Sequence, residues 1–427
     1  MVARRTSATK KELLTELKGG TASALFVGKA VVSSDSFTEA ACKEGKTWKH
    51  IRNSFGVNVG EGNTHYIRLN GGYKTDRPLV YVRNTDFEPI QIPWDERFNK
   101  EKLANVTDQD FIQVRIKKNA EGKMITKKFL SVLDVNDYLN ENLENDAEVI
   151  VSAQPEYSFY NDTIYTNYNI KGIFLNEGRV INEVEQDKRP SEATLRQTYF
   201  LNEHSLSKNW QKELKENGFT VVNAFVPEYT SNIMSNGTTF EFKKVLPYQR
   251  QFKVELSTEL SDENKDKRIN VFKKFFLVAK GEVRQASFVM KLNEGYVETT
   301  GQVEITDEMQ ELIDAGIMTE EEVKQDVTIR GDRVSEVIFV KPGFKKVEES
   351  GQKVIAIEDG VYDPSALVFP DLNADEEDLE EDDGILFDES DFEDDDDSSF
   401  DLGGDSSDEE VAEEKDPIDD LFGDDIF

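Results

Sequence analysis

The chain has 427 residues, with 51 Lys and Arg against 86 Asp and Glu, a formal net charge of −35. Its single cysteine, Cys42, excludes an intramolecular disulfide. No apolar run approaches the roughly 20 residues of a membrane helix. The basic amino terminus lacks the apolar stretch of a signal peptide. These features exclude a disulfide-stabilised secreted domain and a helical membrane protein, and we expect a cytoplasmic protein.

The negative charge is concentrated at the C-terminal end. Residues 371–427 hold 29 Asp and Glu against one Lys, a net charge of −28. Residues 1–370 therefore carry 50 basic against 57 acidic side chains, a net charge of −7. The acidic segment has too little apolar content to offset the entropy of ordering, and its like charges extend it. We expect a disordered tail behind a body large enough for two domains.

The first half of the body begins with a short helix pattern and continues with strand patterns. Thr9 and Glu12 have the spacing of a capping box, which predicts a helix through Leu17. A second short helix is predicted over 135–143. Alternating or β-branched apolar residues predict strands over 25–32, 55–59, 67–69, 80–82, 111–116, 147–153 and 164–175.

The second half follows the same plan. Strands are predicted over 219–225, 238–245, 251–256, 274–280, 286–292, 327–330 and 334–340. Thr306 is predicted to cap a helix that ends near Gly316, and Thr319 with Glu322 begins another. Several antiparallel strands, a helix and closing strands suit the five-stranded oligonucleotide-binding (OB) barrel, although other mixed β folds give the same order.

We therefore expect a mainly β protein with a few short helices (β/α+β), built as two OB-like antiparallel barrels followed by a disordered acidic tail. The expected divisions are an N-terminal arm with a short helix (1–20), a first OB-like domain (21–185), a second OB-like domain (186–345), a linker (346–370) and the tail (371–427).

The segment 43–83 has the composition of a nucleic-acid surface, with eight Lys or Arg against three acids and five interleaved aromatic rings. If Ile67 and Leu69 face the core, Tyr66 and Arg68 face outward together. A ring that stacks a base beside a guanidinium that meets a phosphate is typical of single-strand binding. The alternative, half-buried tyrosines beside ordinary surface arginines, stays open.

The same strand phase pairs Tyr81 with Arg83, and an adjacent strand would then present a second ring and guanidinium. A basic segment over 243–284 adds cations from the second half, whereas the basic segment over 115–128 is better explained as a solvated hairpin. The predicted DNA-binding residues are Trp48, Arg52, Tyr66, Arg68, Tyr73, Lys74, Tyr81, Arg83, Lys243, Lys244, Arg250 and Arg284.

Metal binding and catalysis have little support in the sequence. Cys42, His50 and His65 are widely spaced, with no CxxC pair. No Walker glycine loop, GxSxG or HExxH is present. We predict no metal, no cofactor and no enzymatic activity, although frequent acids leave a metal-dependent nuclease as a distant alternative.

The chain ends in Asp424-Asp425-Ile426-Phe427. With its acidic tail it resembles the single-stranded DNA-binding proteins of bacteria and their phages, which join OB barrels to a flexible acidic tail with an aromatic tip. The bacterial tip has a proline before the final Phe, and this chain lacks it. The resemblance implies that Ile426 and Phe427 enter pockets on replication or recombination proteins, while Asp424 and Asp425 pair with basic residues there. It also implies the host cytoplasm as the location if the protein is phage-encoded.

The expected function is sequence-tolerant binding and protection of single-stranded DNA during replication, recombination and repair, with recruitment of replication proteins through the acidic tip. The alternatives are a phage structural or scaffolding protein with a recruiting tail, and a chaperone or DNA mimic that holds basic proteins. The sequence leaves open the oligomeric state, the choice between DNA and RNA, and whether both domains bind.

Overall fold

The computed structural model describes residues 13–42, 45–60, 62–160, 163–181, 184–235, 238–257, 260–299, 307–315, 329–346, 352–370 and 372. Across these ranges the protein is mainly β with short helices, as predicted. None of the described helices is both long and apolar enough to cross a bilayer. The partner-binding residues predicted at the C-terminal tip, Asp424 to Phe427, lie outside the described residues.

The first half of the described chain combines long strands with two α-helices. Its elements are β1 (Ala22–Val31), β2 (Ala41–Cys42), β3 (Trp48–Asn58), β4 (Thr64–Lys74), β5 (Leu79–Arg83), β6 (Pro89–Pro93), α1 (Lys100–Leu103), β7 (Ile112–Lys118), β8 (Met124–Phe129), α2 (Val132–Asn142), β9 (Glu148–Tyr160), β10 (Thr163–Leu175), β11 (Arg179–Ile181) and β12 (Val184–Gln186).

The second half has fewer and longer strands. Its elements are β13 (Glu192–Leu201), α3 (Trp210–Asn217), β14 (Phe219–Ser235), β15 (Thr238–Glu255), α4 (Asp262–Phe276), β16 (Arg284–Thr299), α5 (Asp307–Asp314), β17 (Ile329–Pro342), β18 (Phe344–Lys346), β19 (Lys353–Ile355) and β20 (Ile357–Asp359). The two strands predicted over 238–245 and 251–256 are one long strand.

Five strands of the first half form a closed circuit, here called ring 1. β1 pairs antiparallel with β3 and β9, β3 pairs antiparallel with β4, β4 pairs parallel with β10, and β10 returns antiparallel to β9. The helix α2 lies in the long connection from β4 to β9, after β5 to β8, and leads directly into β9. A Cβ at Gly28 would lie 2.2 Å from the Asn58 carbonyl oxygen, so glycine is needed where β1 passes from β9 to β3.

Five strands of the second half form ring 2 with the same connectivity. β13 pairs antiparallel with β14 and β16, β14 pairs antiparallel with β15, β15 pairs parallel with β17, and β17 returns antiparallel to β16. The helix α4 connects β15 to β16.

The two rings are joined into one sheet because β1 also pairs antiparallel with β13. The described strands of both rings therefore belong to a continuous 14-stranded mixed sheet, in place of two separate sheets. This position explains the unbroken apolar run in β1, since Leu25 and Val27 pack in one cluster while Ala24 and Phe26 pack in the main core.

Two local predictions are wrong. The strand expected over 274–280 begins inside α4, where Ile269, Phe272 and Phe276 are buried at helical spacing. The helix expected through Leu17 is absent from the described residues 13–20, where Leu14 forms a β-bridge with Tyr362. In both segments, tertiary packing determines the local structure.

The expected linker packs on the body over its described part. β20 pairs with the first residues of β16, and Tyr362, Ala366 and Leu367 are buried. Phe369 packs against Phe159 and Tyr248, with ring centroids 5.4 and 5.5 Å apart. Phe369, two residues before the acidic segment begins, therefore lies close to the end of β9.

Candidate nucleic-acid interface

The alternation predicted for β4 is confirmed. Ile67 and Leu69 are fully buried inside ring 1, whereas Tyr66 is 61% exposed on the opposite side of the strand, where Arg68 is half-buried. Ring 1 therefore presents this tyrosine and arginine on its outside, as the strand phase requires.

The strand register extends this outward surface to both neighbours of β4. On β3, Ser54 lies opposite Arg68, and Arg52 lies opposite Asn70. On β10, Asn169 lies beside Arg68 in the parallel pair. These outward side chains therefore share one surface across three strands.

The hairpin of β9 and β10 adds two tyrosines that the sequence analysis missed. Tyr165 is on the same side of β10 as Asn169, with no register shift between them. Tyr160 shares that side, because it lies opposite Thr163 and diagonal to Tyr165. Each tyrosine is 49% exposed. The alternating pattern over 163–169 indicates which side chains of β10 point outward. Only the parallel pairing of β10 with β4 brings that side of β10 onto the same surface as Tyr66.

We call this surface the outer face of ring 1. It combines cations and aromatic rings, and it includes Glu156, whose Oε2 accepts a hydrogen bond from Asn169 Nδ2 at 2.7 Å. Trp48 and Lys74 lie opposite each other at its far end. The members of the outer face are Trp48, Arg52, Ser54, Tyr66, Arg68, Asn70, Lys74, Glu156, Tyr160, Tyr165, Asn167 and Asn169.

Tyr73, a predicted DNA-binding residue, lies on the other side of β4, away from the outer face of ring 1. Its ring stacks on Trp94 with centroids 4.0 Å apart and planes at 21°. The Arg97 guanidinium lies 4.0 Å above Trp94 and pairs with Asp134 of α2. Tyr73 thus anchors the segment between β4 and β7.

Tyr81 and Arg83 do not extend the outer face through a neighbouring strand, since β5 pairs with β6 in a separate hairpin. Tyr81 is 57% exposed there. The Arg83 guanidinium is held by Asp110, with Nη2 2.6 Å from Oδ1. The geometry favours a structural role for Arg83, because its fork is already occupied by a carboxylate.

The four predicted cations of ring 2 divide into two pairs. Lys243 and Lys244 are exposed on β15, and Lys243 lies 3.4 Å from Glu241. Arg250 reaches ring 1, where Nη2 donates to Thr166 Oγ1 at 2.9 Å. Arg284 pairs with Asp359. The second pair is therefore engaged in protein contacts.

Arg284 also closes the C-terminal end of α4, since Nη1 donates to the Lys274 and Phe275 carbonyl oxygens at 2.6 and 3.1 Å. We expect Arg284→Ala to lower the free energy of unfolding by about 1.5–3 kcal/mol, the range for hydrogen bonds to charged groups. Denaturant unfolding measures this loss, and single-strand affinity of the folded variant should equal that of wild type. A folded variant with weakened binding would contradict the structural role.

Of the three histidines, His65 belongs to the core packing, whereas the His204 side chain is 82% exposed. His65 is fully buried, with its ring centroid 5.0 Å from that of Phe26 and its Nδ1 3.6 Å from Glu294 Oε2. Among the residues that the structure describes, no group of three His, Cys, Asp or Glu side chains is arranged to hold a metal ion.

A buried polar cluster lies where ring 2 meets the hairpin of β9 and β10. Glu228 on β14 accepts a hydrogen bond from the Tyr157 backbone N–H at 3.3 Å. The Tyr157 hydroxyl donates to Gln197 Oε1 at 3.2 Å. The pKa of Glu228 is raised to about 8, chiefly by burial; the hydrogen bond from the Tyr157 N–H lowers it and the nearby Glu156 raises it. Burial also raises the pKa of Tyr157.

Comparison with known proteins gives little further information. No family model and no curated protein matches the sequence. One solved structure, a deletion mutant of the single-stranded DNA-binding protein from Thermus aquaticus, is similar with a TM-score of 0.24 and 10% identity, over 65% of this chain and 88% of that chain. A TM-score this low does not establish a shared fold.

Proposed function

We propose that the protein binds single-stranded DNA without strong sequence preference, on the outer face of ring 1, and that it acts as a binder and not as an enzyme. The observation that carries this proposal is the surface formed by β3, β4 and the hairpin of β9 and β10. There Tyr66, Tyr160 and Tyr165 are exposed on the same side of the sheet as Arg52 and Arg68. Rings for base stacking and cations for phosphate are the two requirements of sequence-tolerant single-strand binding.

The strand order supports an OB-type barrel for each ring. In an OB barrel, the face formed around the second and third strands and the loop between the fourth and fifth strands bind oligonucleotides. In ring 1 those positions correspond to β3, β4 and the hairpin of β9 and β10, which carry the outer face. The closed pairing and the helix between the third and fourth strands occur in both rings.

Binding on this face would combine stacking with counterion release. Each stacked base contributes about 1–3 kcal/mol, and each phosphate neutralised on a single strand gives a slope of about −0.7 in log K against log salt. Fluorescence anisotropy of the full chain with labelled oligothymidine, duplex DNA and single-stranded RNA tests the proposal across salt. We expect tight, salt-dependent binding of single strands and weaker binding of duplex DNA. Equal affinity for single strands and duplex, or no binding of single strands, would refute the proposal.

The acidic tail is proposed to compete with DNA for the same face. A tethered polyanion has a high effective concentration near a basic surface. Phe369, two residues before the acidic segment begins, packs against Phe159 of the hairpin of β9 and β10. We expect deletion of 371–427 to tighten single-strand binding at low salt, with a smaller effect at high salt because screening weakens the competition. A tail of equal length with its acids changed to Asn and Gln is the matched control. Unchanged low-salt affinity after deletion would contradict competition.

Recruitment through the tip is the remaining part of the proposal. Asp424, Asp425, Ile426 and Phe427 offer two charges and two apolar side chains that a basic, apolar pocket on a replication or recombination protein could bind. We expect Ile426→Ala with Phe427→Ala to abolish capture of such a protein while single-strand affinity stays at the wild-type value. Capture that survives both substitutions would contradict a role for the tip.

A further inference from the structure

The two sides of the hairpin of β9 and β10 have different surroundings. One side presents Tyr160 and Tyr165 to solvent. The opposite side carries Tyr157 and Thr166, which lie opposite each other, and the neighbouring pair of Phe159 and Ile164. That second side contacts ring 2 and the segment after β20.

Ring 2 contacts both strands of the hairpin. On β10, Arg250 donates from Nη2 to Thr166 Oγ1 at 2.9 Å and from Nη1 to the Ile164 carbonyl oxygen at 3.4 Å. On β9, the Arg250 guanidinium lies 5.5 Å from the centroid of the Tyr157 ring. One arginine of ring 2 therefore links the two strands that carry the exposed tyrosines.

Other side chains of ring 2 complete this contact. Gln197 and Glu228 hold the hydroxyl and the backbone N–H of Tyr157. Tyr248 and Phe369 form an aromatic contact that continues to Phe159. The hairpin thus has polar contacts at Tyr157 and an apolar contact at Phe159.

Three cations of ring 2 are engaged by other side chains of the protein. Lys253 on β15 lies 4.8 Å from the centroid of the Phe219 ring, but its ammonium pairs with Glu336 of β17. With Arg250 and Arg284 also engaged, these three cations of ring 2 are committed to contacts within the protein.

We infer that Arg250 is a positioning residue, through which ring 2 sets the place of Tyr160 and Tyr165 on the outer face of ring 1. This inference rests on the proposed function and deepens it, because it assigns supporting and binding roles to the two rings. The contacts of Arg250 with Thr166 and Tyr157 hold β9 and β10 together on the inner side of the hairpin. They thereby set the direction in which Tyr160 and Tyr165 point on the outer side. Arg250 therefore affects DNA through the tyrosines and not by meeting a phosphate.

The test is a double-mutant cycle in the full chain, with anisotropy on labelled oligothymidine. Arg250→Ala is expected to weaken binding by about 5-fold or more, which is the effect of losing one stacked base. The loss should not exceed that measured for the double variant Tyr160→Ala with Tyr165→Ala. In the background that lacks both tyrosines, Arg250→Ala should have no further effect. The slope of log K against log salt should be unchanged, whereas loss of a phosphate contact would change it by about 0.7. Additive effects or a changed slope would overturn the inference.

Two further variants separate positioning from loss of folding. Thr166→Val removes the acceptor of the Arg250 Nη2 bond and keeps the charge, so it should weaken binding in the same direction as Arg250→Ala. Arg250→Lys should restore part of the affinity, because it keeps one donor without the fork. Wild-type affinity for Thr166→Val would overturn the inference. If loss of Tyr160 and Tyr165 itself leaves affinity unchanged, the proposed face fails, and the inference falls with it.

Discussion

Replacing Tyr66 and Tyr165 together with alanine is expected to weaken single-strand binding by at least about 25-fold, because each stacked base contributes about 1–3 kcal/mol. Both rings are exposed on the outer face of ring 1, on β4 and β10. Since the loss is of stacking and not of charge, the salt dependence should stay at the wild-type slope. Anisotropy titrations with oligothymidine at several salt concentrations measure both quantities.

The matched control is Phe98→Ala. Phe98 is also a large exposed ring, 55% accessible, but it follows β6 and lies beside Arg97, outside the outer face. Its removal should leave affinity within about twofold of wild type, since it offers no ring to the proposed path of the strand. Equal losses for Phe98→Ala and for the double tyrosine variant would show that the outer face is not the binding surface.

Replacing Glu228 with glutamine is expected to make the stability of the protein less dependent on pH. The pKa of Glu228 is raised to about 8 by burial, whereas an unfolded glutamate titrates near pH 4.3. Between these values the folded protein holds a proton that the unfolded chain has released. The free energy of unfolding therefore falls as pH rises through this window, with a limiting slope of about 1.4 kcal/mol per pH unit that partial exposure reduces.

Glu228→Gln keeps an oxygen that can accept the Tyr157 N–H, and it removes the charge. The variant should gain stability over wild type as pH increases from 5 to 8.5, as measured by urea unfolding. Glu121→Gln is the control, because Glu121 is a 73% exposed turn residue and should leave the pH dependence as in wild type. Parallel curves for wild type and Glu228→Gln would contradict a raised pKa in the folded state.

Strand periodicity predicted much of the local structure. The alternation around Ile67 and Leu69 correctly assigned Tyr66 and Arg68 to the outside, and the helix α2 and the strands β9 and β10 lie where the pattern placed them. A period of two decides which side of a strand a residue occupies, regardless of which strand lies beside it. The pattern failed for α4, where a Phe-rich segment at helical spacing was interpreted as a strand.

The candidate site was only partly predictable, because side-chain partners are distant in sequence. In the sequence, nothing distinguishes Arg68 from Arg83, Arg250 and Arg284, because all four lie in basic segments that contain aromatic residues. Their partners Asp110, Thr166 and Asp359 are brought to them by the fold. The sequence analysis missed Tyr160 and Tyr165 because they share a surface with Tyr66 only through the parallel pairing of β10 with β4, which no local pattern predicts.

The sequence by itself determined that the protein is mainly β, that the negative charge lies in the C-terminal segment, and that Tyr66 and Arg68 point away from the core. These properties follow from composition and from the local geometry of the chain. Only the tertiary structure decided which strands are neighbours, which cations are bound by carboxylates or carbonyls, and which rings share a surface. These features depend on strand pairing and burial between residues that are distant in the chain. Because such contacts are set by packing over the whole molecule, no local sequence pattern predicts them.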